Sequence, residues 1–262
     1  MASYVLVHGA WHGGWCWRRV TPLLRTAGHE VYTPTLTGLG ERAHLLSPDV
    51  GLDTHAQDIT GVLEFEDLRD VTLVGHSYGG MVITAVAELA AARLAHLVYL
   101  DAFVPRDGEC LLDFLPPEAR ERTLARARAE GEGWYLPPQR DAHPYGITDP
   151  ADVAWVGRKF TAQHLKTMQQ PMRCANPAAA ALRRTYVNCT ATRYFAHFAE
   201  RARAAPGWGY RELDAVHDAM VTAPRALADL LIEITSFVSC CSAAYPHSPP
   251  PCARSPASPK TT

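Results

Sequence analysis

The residue of this chain that is most clearly placed to react chemically is a serine on a strand-to-helix turn. Residues 75–79 are Gly-His-Ser-Tyr-Gly; they follow an apolar run at 71–74 and precede a helical run at 81–87. The two glycines leave room for neighbouring elements, so Ser77 is lifted clear of the sheet on a strained turn and can attack a carbonyl carbon. The alternative is an ordinary Gly-rich turn in which Ser77 caps the helix.

A serine nucleophile needs a base that removes its proton and an acid that holds the base in the correct tautomer. On a strand, turn and helix of this kind, the order along the chain is serine, acid, histidine. His217 lies in the expected late position, after the apolar run at 209–213 and before the last helical run. Its alternative role is to cap that helix. His247 is a weaker candidate, because it lies in a tail without a folding pattern.

The reaction also develops negative charge on the carbonyl oxygen, which two backbone N–H groups usually bind. We predict that Tyr78, directly after the nucleophile, and Ala10, in the Gly-rich loop 8–15, supply these oxyanion-hole donors. The alternative is a tight loop without catalytic function. His8 and His12 lie on the same loop, but no third metal ligand has a recognisable spacing. We therefore predict neither a metal nor a cofactor.

Alternating strands and helices must position these groups. Apolar strand patterns occur at 5–7, 29–34, 71–74, 96–100, 185–189 and 209–213. Helical patterns lie between them at 17–26, 54–63, 80–92 and 224–238, whereas 37–49 is predicted to be a loop. This alternation predicts an α/β fold with a mostly parallel, twisted sheet and helices on both faces. Residues 1–104 and 185–238 would form its core.

Residues 105–184 interrupt the alternation and include a helical stretch at 117–130. Because the segment falls between Ser77 and His217, we predict an inserted, mainly helical cap over the carboxyl edge of the sheet. Side chains of the cap and of the loop after the first strand would line a substrate pocket: Trp11, His12, Trp134, Tyr135, Trp155 and Phe160. The alternative is a set of peripheral helices whose aromatic side chains are core. Residues 239–262 are rich in Pro and Ser and are predicted to be disordered.

The amino-acid composition limits the kinds of partner that we expect and the cellular compartment that we predict. The 262 residues carry a net charge of −2, so no basic surplus exists to bind nucleic acid. No apolar run is long enough to span a membrane and no leader peptide is visible, so we predict neither membrane insertion nor export. The seven cysteines lack a C-x-x-C pair, which favours reduced thiols in the cytoplasm. The predicted partner is a small-molecule ester, and the oligomeric state is not predicted.

Three motifs together resemble the α/β-hydrolase superfamily: His8-Gly9-Ala10-Trp11-His12-Gly13-Gly14-Trp15, Gly75-His76-Ser77-Tyr78-Gly79-Gly80 and His217-Asp218-Ala219-Met220. The chain is most similar to the branch that contains plant methylesterases, hydroxynitrile lyases and related bacterial esterases. The similarity covers about residues 3–238. It implies that Ser77 is the nucleophile and His217 the base, with Ala10 and Tyr78 as oxyanion donors.

The acid departs from that resemblance. In the plant esterases it follows the strand that corresponds to 185–189, but here residues 189–193 contain no carboxylate. Asp101 is the best replacement, because it ends the strand that follows the helix predicted at 80–92, and some superfamily members place the acid there. Its alternative role is to cap the turn that leads into Pro105. The remaining candidates are less favourable: Asp214, Asp218, Glu200 and Glu212. Asp214 and Asp218 lie too close to His217 in sequence to be easy partners.

The same branch contains hydrolases and lyases. Its hydroxynitrile lyases carry Thr after the histidine of the first loop and Lys after the catalytic histidine, where this chain has Gly9 and Asp218. We therefore predict hydrolysis of a small to medium, apolar or aromatic carboxylic ester, lactone or thioester through an acyl-enzyme on Ser77. The alternative is a ligand-binding or biosynthetic member of the same fold with little hydrolysis. A dehydrogenase is disfavoured, because no G-x-G-x-x-G follows the first strand.

Overall fold

Parallel strands form the central layer of the molecule. The computed structural model describes residues 1–138 and 141–242. Six of its strands are Ser3–Val7 (β1), Glu30–Tyr32 (β2), Val71–His76 (β3), Leu94–Leu100 (β4), Arg183–Cys189 (β7) and Trp208–Leu213 (β8). They pair in parallel in the order β2-β1-β3-β4-β7-β8. Two short strands, Tyr135–Leu136 (β5) and Gln163–His164 (β6), pair antiparallel apart from this sheet.

Helices connect the strands. The α-helices are Thr21–Thr26 (α1), Leu52–Phe65 (α2), Gly79–Ala90 (α3), Pro117–Glu130 (α4), Pro150–Gly157 (α5), Lys166–Gln169 (α6), Pro177–Ala180 (α7), Ala196–Ala204 (α8), Ala219–Thr222 (α9) and Pro224–Ser242 (α10). Shorter 3₁₀ turns occur at Gly14–Arg19, Gly40–Leu45, Ala91–Arg93, Leu111–Phe114 and His143–Tyr145. Within the described ranges, none of the helices combines the length and the apolar character that crossing a bilayer requires.

The sheet separates two apolar cores. Successive side chains of a strand point to opposite faces, so Val5 and Val7 enter one core whereas Tyr4 and Leu6 enter the other. The first core contains the buried faces of α2 and α3, and the second contains those of α1 and α10. The predicted α/β fold, with a mostly parallel sheet and helices on both faces, is therefore confirmed.

The helix that follows Ser77, α3, lies in the interior. All of its residues from 79 to 87 are buried, which is typical of a helix that is apolar on every side. In contrast, α2 buries one stripe, formed by Leu52, Ala56, Ile59 and Leu63. This stripe packs toward α3. The turn that carries Ser77 is thus supported from the sheet and from a second helix layer.

Two segments differ from their predicted conformation. The helix expected at 17–26 is divided into the 3₁₀ turn Gly14–Arg19 and α1. Pro22 explains the division, because proline lacks an N–H and is accommodated in the first turn of a new helix. The loop expected at 37–49 contains the 3₁₀ turn Gly40–Leu45.

The inserted segment is helical with one addition. Its first helix, α4, has the predicted bounds of 117–130, and α5 to α7 follow. The pairing of β5 with β6 is the added feature, which a helical prediction did not include. At the C-terminus, α10 continues to Ser242, past residue 239 where we expected the tail to begin. The rest of the predicted tail, 243–262, lies outside the described residues.

Candidate active site

Ser77 lies at the apex of the turn between β3 and α3. Its φ angle of +54° places it in the left-handed region, which a serine adopts only where the surrounding structure enforces it. A Cβ on Gly75 would lie 2.5 Å from the carbonyl oxygen of Gly79, and one on Gly79 would lie 2.8 Å from that of Val7. Both motif glycines are therefore required by backbone contacts. The half-buried serine side chain lines a cavity.

His217 and Asp101 form a buried hydrogen-bonded pair. Nδ1 of His217 lies 2.6 Å from Oδ2 of Asp101, so the imidazole donates and the carboxylate accepts. Asp101 follows the end of β4, with φ at +42°, and its own N–H donates to the carbonyl of Val187 at 2.8 Å. Because Nδ1 carries the proton, Nε2 of a neutral His217 has a free lone pair. This is the tautomer that a general base requires.

The His217 ring is held on its faces and through its backbone. Phe195 stacks on it with ring centroids 5.0 Å apart, and Tyr145 stacks at 6.0 Å. His76, the second residue of the Ser77 motif, has Nε2 at 3.1 Å from the carbonyl oxygen of His217, and burial lowers the pKa of His76 well below its usual value. The neutral His76 therefore donates to the backbone of the loop that carries His217.

The two predicted oxyanion donors face the same cavity as Ser77 and His217. In the described part of the chain, the N–H groups of Ala10 and Tyr78 donate to no protein acceptor. The Tyr78 side chain points elsewhere, because its hydroxyl binds Nδ1 of the buried His55 at 2.9 Å. The loop is anchored to the inserted segment, since the Trp11 N–H donates to Gln163 at 3.1 Å. Both free N–H groups are thus available to a developing oxyanion.

His8 and His12, the two histidines of the loop 8–15, form hydrogen bonds within the protein through both ring nitrogens. The N–H of Leu36 donates to Nε2 of His8 at 3.1 Å, and Nδ1 of His8 donates to the carbonyl of Gly9 at 2.8 Å. Burial lowers the pKa of His8 to about 3, in agreement with this neutral tautomer. His12 is also bonded through both nitrogens. Neither ring therefore offers a lone pair to a metal.

Sequence reasoning missed a second buried pair, between His12 and Asp218. Nδ1 of His12 lies 2.7 Å from the carbonyl oxygen of Ala10, and Nε2 lies 3.1 Å from Oδ2 of Asp218. Both oxygens can only accept when Asp218 is ionised, whereas a neutral imidazole has one N–H. His12 is therefore an imidazolium. No local pattern could indicate this pair, because its partners lie 206 positions apart.

The charges of this pair stabilise each other against burial. Burial disfavours the charged form of His12, but Asp218 outweighs this effect and raises the pKa of His12 above its ordinary 6.5. Burial likewise opposes the charge on Asp218, but the charge and the hydrogen bond of His12 outweigh it and lower the pKa of Asp218 below 3.8. The pair joins the loop 8–15 to the residue after His217. A carboxylate that we discounted as a partner of His217 thus connects the loop that contains Ala10 to the loop that contains His217.

Replacing Asp218 with Ala is expected to destabilise the fold by about 3–5 kcal/mol, because it leaves His12 buried without its counter-ion. Urea denaturation measures the change. Asp214→Ala is the matched control: Asp214 is exposed, so its loss should change stability by less than about 0.5 kcal/mol. Equal midpoints for the two variants would contradict a buried ion pair.

The pH dependence of this effect follows from the two pKa shifts. The stability that His12 contributes is complete below pH 6.5 and is lost as the pH rises through its raised pKa. The stability that Asp218 contributes is complete above pH 3.8 and is lost as the pH falls through its lowered pKa. The difference between wild type and Asp218→Ala should therefore be largest between pH 3.8 and 6.5.

The cavity above Ser77 has a volume of about 530 Å³. This size suits a small organic ligand. Its walls come from the sheet side and from the inserted segment: Ala10, Trp11, Ser77, Tyr78, Phe103, Leu111, Leu115, Ala119, Arg122, Thr123, Arg126, Leu136, Tyr145, Met168, Tyr194, Phe195 and His217. Residues of the segment 105–184 thus form part of the wall of the cavity that Ser77 lines.

Most of the side chains predicted to line the pocket lie elsewhere. Of that set, Trp11 lines the cavity, whereas His12 lies behind it in the pair with Asp218. Phe160 is buried against His12, with centroids 4.8 Å apart, and Trp155 packs on Trp15 at 5.5 Å. In these positions the aromatic rings contribute core rather than pocket surface.

Trp134 and Tyr135 also lie outside the cavity. They pack on each other with ring centroids 4.8 Å apart, and the Trp134 indole donates to Glu132 at 3.2 Å. Aromatic walls come instead from Phe103, Tyr145 and Phe195. Aromatic content places such side chains in the inserted segment, but which of them face inward depends on how its helices pack.

A strained serine turn, a buried His–Asp pair and free N–H groups around one cavity are the parts of an α/β-hydrolase site. The pattern that describes the alpha/beta hydrolase family matches residues 4–230, and the chain belongs to that family. A carbendazim hydrolyzing esterase from Nocardioides sp. (strain SG-4G) is 43% identical over 240 residues, which cover 88% of this chain and 98% of that protein.

Two further proteins are similar to this chain over part or most of its length. Salicylic acid-binding protein 2 from Nicotiana tabacum is 32% identical over 170 residues, which cover 64% of this chain and 62% of that protein. The structure of an extracellular α/β-hydrolase from a Paenibacillus species shares the fold, with a TM-score of 0.77 at 22% identity over 89% of this chain and 98% of that one. The prediction that the chain is an enzyme of the ester-hydrolase class is thereby confirmed.

Proposed function

We propose that the protein hydrolyses small to medium, apolar or aromatic carboxylic esters through an acyl-enzyme on Ser77. The observation that carries the proposal is the 2.6 Å hydrogen bond between His217 and Asp101 beside the cavity that Ser77 lines. A serine hydroxyl becomes an effective nucleophile only when such an oriented base accepts its proton. Carbendazim, the compound named for the Nocardioides relative, belongs among the first substrates to test.

The chemistry follows from the placement of each group. Nε2 of His217 takes the Ser77 proton as Oγ attacks the carbonyl, and Asp101 stabilises the imidazolium that forms. The oxyanion accepts hydrogen bonds from the N–H groups of Ala10 and Tyr78. His217 then gives its proton to the leaving alcohol. Water then loses a proton to His217 as it attacks the acyl carbon, and His217 returns this proton to Oγ of Ser77 as the bond to the acid breaks.

A burst experiment with p-nitrophenyl acetate tests this route. The proposal expects a rapid release of p-nitrophenolate in proportion to enzyme concentration, followed by slower turnover. Acid quenching and peptide mass spectrometry should place the acetyl group on the peptide that contains Ser77. Turnover without an acetylated Ser77 peptide, even at saturating substrate, would contradict the proposal.

A ligand-binding function with little hydrolysis is the second candidate. Its support is the relative named salicylic acid-binding protein 2, together with a cavity of suitable size. A panel of methyl, aryl and lactone esters with carbendazim separates the two functions when binding and turnover are measured together. Tight binding without release of acid would favour the ligand-binding function.

A further inference from the structure

Two arginines of α4 line an otherwise uncharged region of the cavity. Arg122 and Arg126 line it, together with Ala119 and Thr123 from the same helix. These positions are spaced i, i+3, i+4 and i+7, so they form one continuous helix face. A helix that only closed an apolar pocket would present apolar side chains there. This face instead contributes two arginines to the wall of the cavity that Ser77 also lines.

No carboxylate lines the cavity among the described residues. Arg126 approaches Glu130 outside it at 3.5 Å and lies 3.4 Å from the carbonyl of Pro137, which leaves most of its N–H groups available. Arg122 is exposed toward solvent and, within the described ranges, forms no ion pair. The cavity wall thus carries one arginine, Arg122, without a carboxylate partner in the described ranges, and a second, Arg126, whose contact with Glu130 is long at 3.5 Å.

The other arginines of α4 behave differently. Arg120 lies 3.4 Å from Asp113, and Arg128 lies 3.0 Å from Glu121. Neither lines the cavity. One helix therefore carries two arginines that line the cavity and two that do not. This division provides controls of the same residue type on the same helix.

We propose that the preferred substrate is an ester with a carboxylate at the end remote from the scissile bond, which Arg122 and Arg126 bind. The inference rests on the proposed ester hydrolysis and refines its substrate class to half-esters of dicarboxylic acids. Guanidinium groups match the planar carboxylate and form strong charge-assisted hydrogen bonds. The apolar walls, which include Leu115 and Leu136, hold the intervening carbon skeleton.

A matched pair of aromatic esters tests the proposal. Monomethyl terephthalate carries a carboxylate where methyl 4-acetylbenzoate carries an uncharged acetyl group of similar size. The wild-type enzyme should show a higher kcat/KM for the half-ester. In Arg122→Gln/Arg126→Gln, the ratio of the two kcat/KM values should fall by about 10- to 100-fold, the range expected for loss of charged hydrogen bonds. Glutamine keeps much of the side-chain bulk, so an enlarged cavity would not explain the change.

The control is Arg120→Gln/Arg128→Gln, which removes the same charge from positions of α4 that do not line the cavity and should leave the substrate ratio unchanged. An equal fall in both double variants, or no fall in either, would overturn the proposal. Calorimetric binding of both esters to Ser77→Ala, with and without the cavity substitutions, gives a second measurement that needs no turnover. Preference for the half-ester should disappear with the two arginines. Persistence of that preference would also overturn the proposal.

These measurements separate two failures. If the neutral ester is hydrolysed and the arginine substitutions do not alter the ratio, the carboxylate preference is wrong and ester hydrolysis stands. If neither ester is hydrolysed by the wild type but the half-ester binds through Arg122 and Arg126, the proposed hydrolysis is wrong and the carboxylate site stands.

Discussion

Ser77→Ala is expected to lower the rate of p-nitrophenyl acetate hydrolysis by about 10⁴- to 10⁶-fold, the loss seen when a serine nucleophile is removed. Alanine removes Oγ, so no acyl-enzyme can form, whereas the oxyanion donors and the cavity walls are retained. Steady-state kinetics after removal of any wild-type contaminant measure the loss. Ester binding to the variant should persist.

The control is Ser3→Ala. Ser3 begins β1, at the edge of the sheet opposite the cavity, and its hydroxyl donates to Glu30. This variant should keep its full rate. Thermal denaturation should give similar midpoints for wild type and Ser77→Ala, because the substitution removes one half-buried hydroxyl. Unchanged turnover in a folded Ser77→Ala protein would eliminate the serine mechanism.

Asp101→Asn is expected to lower kcat by about 10³- to 10⁴-fold. The asparagine amide can donate to Nδ1 of His217, which favours the tautomer with its proton on Nε2. In that tautomer Nε2 cannot accept the Ser77 proton. The buried position of Asp101 prevents water from replacing the carboxylate. Kinetics of the variant across the pH range measure the effect.

Comparison with neighbouring carboxylates decides whether Asp101 has this role. Asp214→Asn alters an exposed residue and should leave kcat within about twofold. Asp218→Asn retains a side chain that can hydrogen-bond His12, so its kcat should exceed that of Asp101→Asn. A near-normal rate in Asp101→Asn, or a larger loss in Asp218→Asn, would move the acid to another residue.

The sequence predicts the parts of the site that depend on local patterns. The Ser77 turn has a strand before it, a helix after it and glycines where backbone contacts exclude Cβ atoms, and each of these is visible in a short window. His217 is predictable because the chain order of such sites is constrained. Asp101 required the additional inference that a strand end at the carboxyl edge of the sheet can reach His217.

The parts that sequence reasoning missed depend on tertiary packing. His12 and Asp218 come together only after β1 and β8 have entered the sheet, and nothing in either local sequence specifies the other. The arginine-bearing face of α4 is visible as a helical spacing, but the direction in which this face points is not. Trp155 and Phe160 were expected in the pocket on composition alone, whereas their rings fill core space beside Trp15 and His12.

Asp101, the carboxylate that bonds His217, follows β4, whereas Tyr194 and Phe195 of the cavity wall follow β7. The bonded carboxylate follows β4, next to the strand that leads into Ser77, so the turn after β7 carries no group bonded to the imidazole through Nδ1. That turn leads instead to Tyr194 and Phe195, which line the cavity. Substitutions of Tyr194 change the cavity wall, whereas substitutions of Phe195 also remove the ring that stacks on His217. The arrangement gives an evolving lineage, or a protein engineer, a position at Tyr194 where new selectivity can arise while the His217–Asp101 bond and the Phe195 ring beside it are retained.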